Sequence, residues 1–120
     1  MPPTHPRILL AEAFDPAAVE KLRTVGDVLA LEACDESTLR RAVLDCDALL
    51  IRTATRVSRA VIENATRLRV IGRGGVGLDN IDGEAALERG IAVVYTPAAS
   101  TDAVADLTLG LLIALVRDFR

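Results

Sequence analysis

The chain has 120 residues, a formal charge of −3 and 51% apolar content. That length suits one domain able to bury a core without metal or disulfide staples. The composition excludes a disordered chain and carries no basic footprint for nucleic acid. Cys34 and Cys46 stand apart from each other, so neither a disulfide framework nor a CxxC metal site is expected, and the setting is read as reducing and cytoplasmic. The N-terminus has no apolar core of signal-peptide length. His5, the only histidine, sits in that tail, so a mechanism needing a buried histidine base cannot be completed here.

Residues 7–11 (Arg-Ile-Leu-Leu-Ala) read as a first strand. Asp15-Pro16 marks a helix start, with Asp as N-cap and Pro at the first helical position. Gly26 ends that helix, and residues 28–31 form a second strand. Asp35 or Ser37 caps a helix through Leu39, Val43 and Leu44, and residues 47–51 are a third strand ending at Arg52-Thr53-Ala54-Thr55. Ser58 caps a third helix, residues 68–71 are a fourth strand, and a short helix covers about 83–89 before Gly90 stops it. Residues 91–94 are a fifth strand.

Five apolar strands alternating with four helices predict an α/β, flavodoxin-like parallel sheet with helices on both faces. Strands that are apolar throughout suit a sheet buried on both sides. Ligands of such sheets bind outside the strand carboxyl ends. Residues 52–54, 72–77 and 96–100 all fall on that rim.

The central feature is Arg69 to Asn80, Arg-Val-Ile-Gly-Arg-Gly-Gly-Val-Gly-Leu-Asp-Asn. Glycines let backbone approach a ligand closely, and successive N–H groups can form a nest for an anion. Arg73, read as the middle of this loop, adds a planar donor fork. Residues 72–77 also match G-x-G-x-x-G, the dinucleotide fingerprint. That fingerprint needs a helix opening at the glycines and an acidic residue about 20 residues on. Here a turn follows, and Pro97 stands at that distance. A tight turn without ligand is the plain alternative.

Residues 101–120 break the rhythm. Ser100 or Thr101 caps a long helix with Asp102 in its first turn, and residues 103–116 are apolar except Asp106, Thr108 and Gly110. These 14 residues fall short of the roughly 20 needed to span a bilayer, so no membrane role is expected. A helix apolar nearly all round must be buried on most sides. Either a second domain or a partner chain covers it, and the isolated chain is expected to self-associate through 101–118. The chain stops at 116–120 without a C-cap, which suggests a fragment.

Three motifs carry a family resemblance: residues 47–55, residues 68–82, and residues 90–97 with Val104-Ala105-Asp106 beyond. On these the chain resembles the NAD-dependent D-isomer-specific 2-hydroxyacid dehydrogenases, nearest to the N-terminal part of the family's phosphoglycerate dehydrogenases of serine biosynthesis. The resemblance covers about residue 7 to the end. It implies a substrate-binding domain over 1–100 and, over 101–120, the first helix leading into a nucleotide-binding domain not included here. It implies a homodimeric enzyme moving a hydride from C2 of a 2-hydroxy acid to NAD. The family's catalytic histidine, its acid, its carboxylate-binding arginine and its own glycine fingerprint lie beyond residue 120, so this chain alone is expected to be inactive, with no catalytic residue and no metal.

By position, the resemblance gives the substrate carboxylate to the backbone N–H groups of Gly74, Gly75 and Val76. It gives a substrate phosphate to Arg52, with Thr53 beside it, and to Arg73. Val76, Ser100 and Val104 approach the nicotinamide. Bland roles compete: a surface ion pair for Arg52, a buried stem for Arg73, a helix cap for Ser100. Tyr95-Thr96-Pro97 stands where the phosphoglycerate enzymes have Asn-Thr-Pro. Residues 101–106 look more like glyoxylate/hydroxypyruvate reductases, and residues 97–100 are similar to the C-terminal-binding-protein co-repressors, NAD-binding scaffolds. A short binding module that pairs through its helix is a further alternative.

Overall fold

The computed structural model describes residues 5–117. The N-terminal residues 1–4 and the terminus at 118–120, both read above, lie outside the described residues. Five strands form one parallel sheet: β1 (Arg7–Leu10), β2 (Asp27–Ala30), β3 (Ala48–Ile51), β4 (Val70–Arg73) and β5 (Ala92–Tyr95). Their spatial order is β2-β1-β3-β4-β5, with every pair parallel. That is the flavodoxin-like order.

The helices between them are α1 (Pro16–Arg23), α2 (Glu36–Ala42), α3 (Arg59–Asn64) and α4 (Gly83–Glu88). Each starts where a side-chain oxygen satisfies an orphan N–H. Asp15 caps Ala17, Asp35 caps Thr38, Ser58 caps Val61 and Asp82 caps Ala85. Between Asp35 and Ser37 the structure selects Asp35. α4 ends at Gly90, whose φ of +67° admits the left-handed turn that brings the Ile91 N–H to the Ala86 carbonyl at 2.8 Å.

Right-handed crossovers dictate the layers. The step from β1 to β2 runs opposite to the later ones, so α1 covers one face and α2, α3 and α4 the other. The second face holds the core. Leu9, Leu49, Ile51 and Ile71 meet Leu39, Val43, Val61, Ile62, Ala85 and Ala86 there. On the α1 face Ile8 and Leu10 of β1 are buried as well, so the expectation of a sheet buried on both sides holds at β1 and fails toward the edges. β2 and β5 are edge strands with mostly exposed residues, and Val94, on the face without α2–α4, is 53% exposed.

Two strand boundaries differ where it matters. β4 runs through Gly72 and Arg73, two residues past the expected end, because Leu50 and Ile51 of β3 continue to pair with them. Arg73 is therefore the last residue of a strand, not the middle of a loop. β5 likewise ends at Tyr95, directly opposite Arg73.

α5 (Thr101–Val116) stands away from the sheet. All its residues are exposed except Ala114, which is half-buried. The long dimension of 64 Å, against 31 and 23 Å, reflects this projection. Ser100 occupies the N-cap position, but its side chain makes no capping bond. No helix among the described residues is long and apolar enough to cross a membrane.

Candidate functional site: a carboxyl-end rim with two arginines

Three loops meet at the carboxyl ends of β3, β4 and β5, and backbone bonds tie them. The Gly74 N–H donates to the Ile51 carbonyl at 2.9 Å, and the Thr96 N–H donates to the Gly75 carbonyl at 3.1 Å. The Gly75 N–H donates to Thr96 Oγ1 at 2.8 Å. This corrects one expectation. Two of the three N–H groups assigned to a carboxylate, those of Gly74 and Gly75, are committed internally. Of residues 74–77, Val76 and its neighbour Gly77 have backbone N–H groups without a hydrogen-bond partner among the described residues, as do Leu78, Asp79 and Asn80 in the turn that follows. Val76 is 52% exposed.

No helix opens at the glycines. The turn at Asp79-Asn80 follows, and α4 begins only at Gly83. The match to the dinucleotide fingerprint therefore lacks the helix N-terminus that would bind a pyrophosphate.

Arg73 is 8% exposed. Its Nε donates to Asn80 Oδ1 at 2.9 Å. Among the described residues it pairs with no carboxylate. Buried charges are normally paired, because leaving water unpaired costs several kcal/mol. Arg52 is exposed, sends Nη1 to the Ala13 carbonyl at 3.4 Å, and also pairs with no carboxylate among the described residues. Thr53 is exposed beside it.

The loop carrying Arg52 is itself organised around an anion, supplied by the chain. Glu12, just past β1, accepts hydrogen bonds from the backbone N–H groups of Arg52, Ala54 (3.0 Å) and Thr55 (3.2 Å). Burial raises its pKa, but the hydrogen bonds from Arg52, Ala54 and Thr55 outweigh that, and the carboxyl is held below its ordinary value. Sequence reasoning missed Glu12. The available signal was an acidic residue placed directly after a buried strand.

Asn80 was missed as well. Its Nδ2 donates to the carbonyls of Arg52 (2.9 Å) and Thr55 (2.8 Å) while its Oδ1 holds Arg73. The cysteines take no part. Cys46 is buried, Cys34 half-buried, and burial pushes both thiols up. No cluster of three metal-ligating side chains exists among the described residues.

The family profile for the D-isomer specific 2-hydroxyacid dehydrogenase catalytic domain matches residues 8–112. The chain belongs to this family. A D-3-phosphoglycerate dehydrogenase of Methanocaldococcus jannaschii is 45% identical over 93% of this chain and 21% of its own length. Among solved structures, a protein from Pyrococcus horikoshii superposes with a TM-score of 0.84 at 33% identity, over 97% of this chain and 35% of that one. An NADPH-dependent glyoxylate/hydroxypyruvate reductase of Sinorhizobium meliloti, in complex with NADP and malonate, gives 0.78 at 27% identity, over 92% and 34%. The chain spans about a fifth of the length of the curated relatives it matches.

Proposed function

We propose that this chain is the substrate-binding part of an NAD-dependent D-2-hydroxyacid dehydrogenase acting on 3-phosphoglycerate, with residues 1–100 as the substrate domain and 101–120 as the start of the passage to a nucleotide-binding domain. The reading places the enzyme in the cytoplasm. One observation carries the anionic substrate: Arg73 is buried without a counter-ion among the described residues. A phosphate would supply the missing charge, and the guanidinium fork suits its oxygens. Arg52, exposed on the neighbouring strand end, would add a second contact. The N–H groups of Val76 and Gly77 would take the substrate carboxylate, a narrower cradle than Gly74, Gly75 and Val76 together.

Val76 and Val104 are exposed apolar side chains, and the Ser100 hydroxyl is not used as a cap, so all three fit the nicotinamide side of a bound cofactor. When bound, NAD supplies the acceptor for the hydride leaving C2. The residues of this chain would orient the acid so that C2 faces that acceptor. Proton removal belongs to groups outside these 120 residues.

The test is Arg73→Ala in the complete enzyme. Losing a charge-assisted pair costs about 1.5–3 kcal/mol, so KM for a phosphorylated 2-hydroxy acid should rise roughly 10- to 100-fold. An unphosphorylated acid of similar size should be affected far less. Equal effects on both would remove the phosphate role and favour a second reading, a glyoxylate/hydroxypyruvate reductase. That reading has its own support in Tyr95, which stands directly across from Arg73 and would narrow the space a phosphate needs.

A further inference from the structure

One side chain on this rim bonds to both arginines and is itself neither. Asn80 makes three hydrogen bonds at once: Oδ1 accepts from Arg73 Nε, and Nδ2 donates to the carbonyls of Arg52 and Thr55. An amide can do this because it carries an acceptor and two donors on one planar group. The amide orientation follows from the partners, since an N–H donor faces one side and two carbonyls face the other. The Asn80 backbone is pinned too. Its carbonyl accepts from the Val57 N–H at 2.8 Å, and the Asp82 N–H returns to the Val57 carbonyl at 2.9 Å.

We propose that Asn80 is a positioning residue that sets Arg73 against the Arg52 loop and keeps the charge of Arg73 available to an anionic substrate. This rests on the anion-site reading above. A carboxylate at this position would also accept from Arg73 Nε, but it would cancel the positive charge and face two carbonyl oxygens with no donor. A neutral acceptor holds the guanidinium by one edge and leaves its terminal nitrogens uncompensated. The same amide fixes the carbonyl of Arg52, so the two arginines are spaced by one side chain. Preorganised charge of this kind is most effective where its supporting groups are locked.

Two measurements on the complete enzyme test this. The first needs no substrate: hydrogen exchange of the Arg73 Nε–H in protein labelled with 15N-arginine, the resonance identified by its loss in Arg73→Lys. Exchange should quicken by about tenfold or more in Asn80→Ala, as a lost hydrogen bond implies. Unchanged exchange would overturn the assignment. The second is kinetic. Asn80→Asp should raise KM for a phosphorylated 2-hydroxy acid about tenfold with kcat within about twofold. In an Arg73→Ala background the same change should add less than about twofold, because the two residues act as one unit. Effects that multiply independently, or that fall on kcat alone, would mean Asn80 serves only the fold. If Arg73→Ala shifts both classes of substrate alike, the phosphate reading falls, and the Nε exchange still decides the role of Asn80.

Discussion

Arg73 lies over Gly75 so closely that a Cβ added at position 75 would stand 2.0 Å from Nη1 and 3.1 Å from Cζ. The buried guanidinium and the bare backbone beneath it are one arrangement. Gly74 differs: an added Cβ there would meet Arg52 Cγ and Phe14 Cε1 at 3.6 Å, ordinary contact. Gly75→Ala should therefore displace Arg73 or shift the loop, destabilising by about 1–3 kcal/mol as overpacking typically does. Gly74→Ala should cost much less. Urea unfolding of both variants checks this, and equal stabilities would show that Arg73 swings clear freely.

Glu12 gives a pH dependence with a definite sign. Its folded pKa is depressed, so its contribution is complete above the ordinary glutamate value of about 4.3 and is lost as pH falls through that value toward the lower folded one. Glu12→Gln keeps the size but removes the charge that holds the N–H groups of Arg52, Ala54 and Thr55. It should cost about 1–3 kcal/mol near neutral pH. Denaturation at about pH 6 and about pH 3 should show the gap between wild type and variant narrowing in acid. A gap that stays constant would mean that the charge of Glu12 does not contribute.

α5 exposes Leu107, Leu111, Leu112, Ile113 and Leu115 at once. Apolar surface of that extent seeks cover, worth roughly 25 cal/mol per Å² buried. The isolated chain should associate through this helix. Leu111→Glu, at a position that is 62% exposed, should weaken association without disturbing the sheet. Sedimentation of both proteins at roughly tens of micromolar measures it. A monomeric wild type with α5 still helical would remove the self-association expectation.

Much of the scaffold was legible because it is encoded locally. Asp15-Pro16, Asp35 and Ser58 start helices through bonds spanning two or three residues. The apolar runs of all five strands stand out as short segments between turn signals, and each was located to within about two residues. The helix at 101–116 declared its need for cover by composition alone. Boundaries slipped at β4 and β5 because strand length there is decided by partners: Gly72 and Arg73 join the sheet only because Leu50 and Ile51 pair with them.

The candidate rim divides in the same way. Residue type and spacing determined that arginines and glycines would gather at the carboxyl ends of a parallel sheet, since hydrophobic period and turn chemistry act over a few residues. Only the tertiary structure decided which of them stay available. Glu12 reaches the Arg52 loop across 40 residues, Thr96 takes the Gly75 N–H across 21, and Asn80 spans 28 to the Arg52 carbonyl. Such pairings leave no periodic trace in a sequence. They form because chain-distant polar groups brought together at a partly buried rim must satisfy one another, and among the described residues they leave the charge of Arg73 without a counter-ion.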